Sequence, residues 1–376
     1  MSTLLQNGTV VSAHGCQKAD LLLHKGRIEA IGQPKAFHAP DARRIDATGL
    51  VVMPGIIDSH IHGCAGVEFD GFQPITPAAR LLARRGVTSF LPTVSPAQGM
   101  DYIATMEGFK TMSLPQGCAR MIGVHLEGPF VNVQRRGAIP AGAILPVDLV
   151  LLRRILDAGE GLVKIVTLAP ELPHADEAIG LLRSRDVAVS MGHSIAPWAV
   201  AQRATAAGAS RATHTYNAMM PLHHREAGLL GATMLEDDVY AELITDLAHV
   251  CAQAAAILLR VKGTKRVVAV SDCLRHGAQP LPDGAVVQDG VVRDGCVYEP
   301  DGTLCGSLRP LTDHMPAFAA ALGLDAAAMA DLFSANCARN LGLAAGEIAV
   351  GRPADLVLAD GQMNVKMTIL GGNALP

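Results

Sequence analysis

MPGIIDSHIHG, residues 53–63, joins a short apolar run to a pair of histidines. The apolar part, residues 53–60, has the length and composition of one strand in a parallel sheet that is covered on both faces. His60 and His62 stand two positions apart, so an extended backbone directs both imidazoles to the same side of the strand. The segment therefore predicts a core strand whose carboxyl end carries potential metal ligands.

Seven further apolar runs follow along the chain, and most are separated by segments of helical period. These helix candidates are rich in Ala, Leu and Arg, as in DLVLLRRILDAG. Eight parallel strands that alternate with helices are the number that closes a (β/α)₈ barrel, so we predict this α/β fold, known as the TIM barrel. The seven runs lie at residues 88–94, 120–127, 162–169, 186–193, 210–217, 239–246 and 266–272.

The two ends of the chain have a different pattern, with short strand-like runs separated by turns that contain glycine. We expect residues 1–52 and 346–376 to form one small β-sandwich domain, and residues 53–345 to form the barrel. Alternating residues and Gly-containing turns after the eighth run predict a hairpin insertion near residues 284–306. A helical stretch is expected from about residue 310 to 342.

Composition excludes several classes of protein. The chain has 376 residues, of which 49 % are hydrophobic and 18 % charged, so it is too apolar to be disordered. Its net charge is −4 without a cluster of Lys or Arg, which argues against a nucleic-acid partner. No apolar stretch reaches the roughly 18–20 residues that span a bilayer, and the first residues lack the pattern of a signal peptide. We expect a cytoplasmic protein without a membrane partner.

The eight cysteines form no C-x-x-C pair, which argues against a zinc ribbon or a redox motif. We interpret them as reduced and largely buried thiols. Cys64 and Cys273 lie close in sequence to the candidate ligands, and we interpret both as small packing groups.

Ionisable side chains recur where the predicted strands end. A single histidine at such a position is usually structural, but barrel enzymes bring the carboxyl ends of all eight strands to one rim. Buried polar groups gathered there need partners, so the joint pattern favours a metal site. The candidates are His60, His62, Glu127, His193, His214 and Asp272.

Histidine and carboxylate ligands without cysteine suit Zn²⁺ best and also accept Fe²⁺ or Mn²⁺. An ion of this kind lowers the pKa of bound water toward ~7 and polarises a carbonyl group, which is the chemistry of amide or ester hydrolysis. Asp272 ends the eighth run, and we expect it across the barrel from His60 and His62, where it can carry a proton to the leaving amine. Capping of the next helix is the alternative role for Asp272.

Several segments together resemble the amidohydrolase superfamily, and within it the N-acetylglucosamine-6-phosphate deacetylases. GRIEAIG near the start and GEIAVGRPADLVL near the end are similar to the terminal β segments of that superfamily. The resemblance extends over nearly the whole chain. It is carried by PGIIDSHIHG, HLEGP, MGHS, THTYNAM, PLHHRE and VSD.

The resemblance implies metal-dependent removal of the acetyl group from N-acetylglucosamine 6-phosphate. It makes Glu127, His193 and His214 ligands of the main ion, and His60 and His62 the pair that binds a second ion in some members. One or two divalent ions are therefore expected, with Asp272 as the acid and base. It also implies a homodimer in which His249 or Arg225 of the neighbouring subunit contributes to the phosphate pocket. The implied substrate contacts are Ala138, Asn217, Ala218, Arg225, His249, Leu304, Cys305 and Gly306.

Two positions depart from the family pattern. Ile139 replaces a histidine that follows the ligand glutamate, and Leu247 replaces the glycine of a D-G-x-H segment. An isoleucine side chain donates no hydrogen bond, and leucine lacks the small size of glycine. Two alternatives therefore stay open. One is a related enzyme that deacylates another N-acyl amino sugar or a cyclic amide, and the other is a non-catalytic barrel that binds a sugar phosphate.

Overall fold

The computed structural model describes residues 2–12, 15–288 and 290–375. Its first part is a set of strands whose buried residues are mostly apolar. In the second strand Ala19, Leu21 and Leu23 face the core, as the period of two requires. The strands are β1 (Ser2–Ser12), β2 (Gly15–His24), β3 (Arg27–Gly32), β4 (Arg43–Asp46) and β5 (Val51–Pro54).

The next eleven strands include the eight that form the barrel. They are β6 (Ile56–Ile61), β7 (Gly63–Cys64), β8 (Val67–Glu68), β9 (Val87–Val94), β10 (Arg120–Met121), β11 (Val124–Glu127), β12 (Val163–Leu168), β13 (Ala188–Met191), β14 (Arg211–Ala212), β15 (Tyr240–Ile244) and β16 (Val267–Val270). Strands β6, β9 and β11–β16 pair in parallel in chain order. The seam between β16 and β6 is closed by hydrogen bonds from Asp272 N to His60 O and from His62 N to Cys273 O. The predicted (β/α)₈ architecture is confirmed.

Seven helices cover the barrel between these strands. Asp101 and Asp148 cap two of them by accepting hydrogen bonds from backbone N–H groups, which explains where those helices begin. None of the described helices has both the length and the apolarity that crossing a lipid bilayer requires. The helices are α1 (Thr76–Arg84), α2 (Tyr102–Thr111), α3 (Leu149–Gly159), α4 (Ala175–Arg183), α5 (Trp198–Ala207), α6 (Gly228–Leu235) and α7 (Ala252–Lys262).

After the eighth barrel strand the chain forms a small antiparallel sheet and then helices. The sheet contains β17 (Val286–Val287), β18 (Gly290–Arg293), β19 (Cys296–Tyr298) and β20 (Leu304–Ser307). The helices are α8 (Leu311–Leu322), α9 (Ala326–Ala330) and α10 (Asn336–Asn340), and a π-helical turn at Asp331–Ala335 joins the last two. These helices lie within the helical stretch that the sequence predicts from about residue 310 to 342.

The chain returns to the first sheet at its other end. Strands β21 (Leu356–Ala359), β22 (Val365–Leu370) and β23 (Asn373–Ala374) complete an eight-stranded sheet with β1–β5, in which β21 pairs antiparallel with β5. Leu21, Ile28, Leu356 and Ile369 belong to an apolar cluster of this sheet that is distinct from the barrel core. The strands from both chain ends therefore share one sheet.

The sixth barrel strand is shorter than predicted. It ends at Ala212, whereas the sequence pattern extends it to residue 217. The backbone turns because His214 and Tyr216 adopt left-handed conformations, with φ angles of 29° and 81°. Thr215 N donates to Glu242 O at 2.8 Å, which fixes this turn against β15. His214 consequently lies on a turn at the barrel rim.

His314 on α8 connects the barrel to β20 and gives a test of the buried core. Its Nδ1 lies 3.1 Å from Thr245 Oγ1, and its Nε2 lies 3.5 Å from Ser307 Oγ. Burial lowers the pKa of His314 to about 4, so the unfolded chain binds this proton more tightly than the folded one. The stabilising contribution is present above the unfolded pKa of about 6.5 and is lost as the pH falls toward 4.

We therefore expect the unchanged protein to lose about 2 kcal/mol more unfolding free energy than His314→Gln between pH 7 and pH 5. Glutamine keeps a neutral polar side chain at this position but takes up no proton. Urea unfolding at the two pH values measures the difference. Equal losses in the two proteins would show that His314 is not held neutral by the fold.

Candidate active site

All six residues that the strand ends predict as metal ligands or proton carrier meet at one opening of the barrel. His60 lies in β6, and His62 directly follows this strand. The other four residues end or follow the strands β11, β13, β14 and β16. Each is 7 % exposed or less. His193, His214 and Asp272 have φ angles of 47°, 29° and 50°, left-handed values that non-glycine residues rarely adopt. Such backbone conformations concentrate at functional sites.

The first cluster consists of Glu127, His193 and His214. Glu127 Oε1 lies 3.1 Å from Nε2 of each histidine, and the two Nε2 atoms lie 3.0 Å apart. The backbone carbonyl of Arg135 accepts a hydrogen bond from His193 Nδ1 at 2.8 Å, which leaves the lone pair on His193 Nε2. Glu127 and His193 therefore offer lone pairs to the point that His214 Nε2 also faces, and the three atoms lie close enough to hold one divalent cation.

The second cluster consists of His60, His62 and Glu127. The Nε2 atoms of the two histidines lie 3.3 Å apart, and each is 3.4 Å from an oxygen of Glu127. Ser95 Oγ donates to Glu127 Oε2 at 2.8 Å and so accepts from His62 Nδ1 at 3.3 Å. The His62 lone pair consequently also points inward. Glu127 belongs to both clusters.

Positive charge is needed where these groups meet. Burial alone would raise the pKa of Glu127, but His60, His193 and His214 lower it well below its usual value. Burial likewise opposes a charged His60, yet Glu127 and Glu242 raise the pKa of this histidine well above its usual value. The carboxylates and imidazoles thus favour a cation at their centre, and a donor set of imidazoles and a carboxylate fits a divalent metal ion.

The expected position of Asp272 across the barrel from the histidine pair is wrong, because β16 and β6 are neighbours in the closed barrel. Asp272 lies beside the second cluster, with Oδ1 3.1 Å from His62 Nε2. Its backbone is held on both sides, because Asp272 N donates to His60 O and Ser307 N donates to Asp272 O, both at 2.9 Å. Burial would raise the pKa of Asp272, but the neighbouring imidazoles of His62 and His60 lower it below its usual value. The carboxylate is therefore ionised at neutral pH and able to accept a proton.

A cavity of about 820 Å³ opens above the two clusters. Most of the side chains that the family resemblance assigns to the substrate line its wall. They are Ala138, Asn217, Ala218, His249, Leu304 and Cys305, and Ile139 and the strands β17, β18 and β20 also contribute. His249 Nδ1 donates to Asp246 Oδ2 at 2.8 Å, which leaves its Nε2 lone pair 3.8 Å from Asp272 Oδ2.

Gly306 and Arg225 do not line the cavity. A side chain at position 306 would clash with the carbonyl oxygen of Asp272, so glycine allows β20 to approach this residue. Arg225 is exposed on a loop, where its Nη1 lies 2.7 Å from His224 Nε2. Among the described residues that line the cavity there is neither arginine nor lysine. These described lining residues therefore offer no permanent cation to a phosphate.

Leu247 adopts a left-handed backbone conformation with φ 64°, which glycine adopts without strain. The departure from the family pattern thus keeps the turn that places His249.

The sequence analysis missed three side chains that orient the ligands. Ser95 directly follows the second barrel strand, so the strand-end rule used for the histidines also identifies it. Glu242 and Arg211 lie inside the predicted core strands, where a charged residue is itself unusual. Their common function becomes visible only when the three-dimensional contacts are known.

Comparison with known proteins agrees with this geometry. The family model described as amidohydrolase family matches residues 51–375. The N-acetylglucosamine-6-phosphate deacetylase of Bacillus subtilis (strain 168) is 35 % identical and matches 93 % of this chain and 91 % of its own. The chain is similar to the solved N-acetylglucosamine-6-phosphate deacetylase from Pasteurella multocida, with a TM-score of 0.90, 26 % identity and 100 % of both chains covered.

A mutant of N-acetyl-D-glucosamine-6-phosphate deacetylase from Mycobacterium smegmatis, solved in complex with N-acetyl-D-glucosamine-6-phosphate, is also similar. Its TM-score is 0.89 at 28 % identity, and the match covers 99 % of both chains. The family match, the identity to curated relatives and the rim of clustered ligands agree, and the chain belongs to the amidohydrolase family.

Proposed function

We propose that the chain hydrolyses the N-acetyl amide of N-acetylglucosamine 6-phosphate to glucosamine 6-phosphate and acetate. The observation that carries this proposal is the convergence of two ligand clusters and Asp272 at the floor of one cavity. The similar deacetylases of Bacillus subtilis and Mycobacterium smegmatis support the choice of substrate. A site for binding alone does not need an ionised carboxylate placed beside the ligand clusters.

We propose one or two divalent metal ions as cofactor, with Zn²⁺ preferred and Fe²⁺ or Mn²⁺ as alternatives. Glu127, His193 and His214 would hold one ion, and His60 and His62 together with Glu127 would hold the other. When bound, the ion supplies a Lewis acid that activates water and polarises the amide carbonyl. Neither cluster contains a thiol, which supports Zn²⁺, Fe²⁺ or Mn²⁺ over a soft ion that prefers sulfur ligands.

Asp272 moves the proton in the proposed mechanism. Its ionised carboxylate takes a proton from the attacking water and delivers it to the departing nitrogen of the amino sugar. His249 presents Nε2 to the same part of the cavity and accepts a hydrogen bond from a sugar hydroxyl group. The sugar contacts the cavity wall at Ala138, Asn217, Ala218, Leu304 and Cys305. Gly306 allows β20 to approach Asp272.

We propose a homodimer in which Arg225 of the second copy binds the 6-phosphate. The described residues of the cavity wall in one chain include neither arginine nor lysine, whereas a phosphate dianion in a concave site needs a cation or several N–H donors. Arg225 is exposed on a loop of its own chain. A guanidinium group from a neighbour therefore supplies the missing charge.

Complementation tests this arrangement. Arg225→Ala and Asp272→Asn should each be nearly inactive on the phosphorylated substrate, but equal mixing with subunit exchange should restore about a quarter of the unchanged activity. The reason is that half of the dimers are then mixed, and each of these has one complete site. Arg225→Ala should keep its activity on N-acetylglucosamine without phosphate. A mixture that stays inactive after proven exchange would contradict a site shared between subunits.

A panel of N-acyl sugars tests the function itself. Release of amine from the glucosamine and galactosamine series, each with and without 6-phosphate, should be fastest for N-acetylglucosamine 6-phosphate. Ile139 gives the cavity an apolar wall, which favours a different N-acyl sugar or a cyclic amide as the second candidate. Activity on unphosphorylated compounds alone would overturn the proposed substrate, and no turnover of any compound would favour the non-catalytic alternative.

We also propose that the enzyme acts in the cytoplasm, since none of its eight cysteines is joined in a disulfide. Residues 1–52 with 346–376 are proposed as one domain, and residues 53–345 as the catalytic barrel with its hairpin insertion near 284–306. The separate apolar cluster of the terminal strands supports this division.

A further inference from the structure

Glu242 is a buried carboxylate that the proposed mechanism does not use. It lies in the middle of β15 with no exposed surface. Three donors surround it. Its Oε1 lies 2.6 Å from Arg211 Nε, and its Oε2 lies 3.0 Å from His60 Nδ1 and 3.2 Å from the backbone nitrogen of His214. The carboxylate therefore contacts one residue from each ligand cluster.

The contact with His60 decides which ring nitrogen faces the site. An ionised carboxylate only accepts hydrogen bonds, so His60 Nδ1 must carry the proton that it donates to Glu242. The lone pair is then directed from Nε2 toward His62 and Glu127, at 3.3 and 3.4 Å. A carboxylate behind a histidine also raises its basicity as a metal ligand.

Arg211 keeps this carboxylate charged. It is fully buried, and its guanidinium also donates to Ser59 Oγ and to Asn340 Oδ1. A guanidinium group that is fixed by several acceptors cannot turn away from Glu242, and a buried ion pair of this kind is disrupted only at high cost.

We propose that Glu242 and Arg211 are a positioning pair for the ion held by His60, His62 and Glu127, and that they act by fixing the ring of His60. The inference rests on the two-ion form of the proposed site. Serine and a backbone carbonyl, rather than a carboxylate, orient His62 and His193. Glu242 reaches His214 only through its backbone nitrogen and does not contact its ring, so loss of the pair should weaken the second ion far more than the first.

Glu242→Gln is the first test. The glutamine amide presents an N–H group where the carboxylate has only acceptors, so either Arg211 loses its partner or His60 turns its proton into the site. We expect the second ion to bind about 10-fold to 100-fold more weakly, while the ion at Glu127, His193 and His214 keeps its affinity. Zinc content at fixed free zinc and competition with a chromophoric chelator measure both ions. Glu107→Gln, the same change on exposed α2, should bind two ions as the unchanged chain does.

Two further variants separate positioning from a general structural effect. Glu242→Asp keeps the negative charge beside Arg211, but its side chain is one methylene too short to reach His60. This variant should therefore lose the same ion. It also provides the test if the glutamine variant does not fold. In His60→Ala, adding Glu242→Gln should cause no further loss of zinc affinity, because the pair acts through His60.

The proposal is wrong if both Glu242 variants bind two ions as tightly as the unchanged chain, if the unchanged chain binds only one ion, or if both ions weaken equally. A chain that binds two ions with the expected dependence on Glu242 but does not cleave N-acetylglucosamine 6-phosphate would sustain this inference and contradict the proposed function alone.

Discussion

Asp272→Asn is expected to lower kcat by roughly 10²–10⁴-fold while the zinc content stays unchanged. Asparagine has the same size and keeps an oxygen near His62, but it neither accepts the proton of water nor delivers one to the leaving nitrogen. The backbone contacts of position 272 with His60 and Ser307 do not involve the side chain, so the barrel seam should remain closed. Steady-state release of glucosamine 6-phosphate, with zinc measured on the same sample, checks both parts.

Asp176→Asn is a suitable control because Asp176 is exposed on α4, where it pairs with Arg203. This variant should turn over at nearly the unchanged rate. If Asp272→Asn also retained near-normal turnover, Asp272 would have no part in proton transfer. If it lost activity together with its zinc, the side chain would act as a ligand instead of an acid and base.

Glu127→Gln should have a still broader effect, because both ligand clusters share this carboxylate. The amide offers one neutral oxygen in place of two charged ones, and its N–H group would face the Nε2 atoms that must bind the ion. Zinc binding at both subsites should weaken, and kcat should fall by roughly 10³-fold or more. Metal analysis at fixed free zinc and turnover at saturating substrate give the two values.

A folded Glu127→Gln protein that bound both ions with unchanged affinity would contradict the shared-ligand geometry. Circular dichroism distinguishes loss of the site from loss of the fold. Glu107→Gln applies the same chemical change at an exposed position and should alter neither zinc binding nor turnover.

The barrel and its rim were predictable because they depend on local pattern. Apolar runs of strand length identify the core strands, and the histidines and carboxylates that end them must meet at one edge of a parallel barrel. For this reason His60, Glu127 and His193 come together in space although they are far apart in sequence. The termini shared a similar strand pattern, and their strands do share one sheet.

Other features depend on contacts that a linear pattern does not contain. The sixth strand ends early because the turn at His214 is stabilised by β15, a neighbour in space. Ser95 and Glu242 orient His62 and His60 through single hydrogen bonds, and no spacing rule encodes such pairs. Arg225 is exposed because of the way its loop folds, and it does not line the cavity. Composition therefore could not predict that the described lining residues include neither arginine nor lysine.

The most direct test of the account is acetate release from N-acetylglucosamine 6-phosphate by chelator-treated protein into which zinc is titrated. The account predicts no turnover without the ion and turnover that rises with the number of ions bound per chain. Equal turnover in the metal-free protein would contradict it, as would a zinc-loaded protein that releases no acetate.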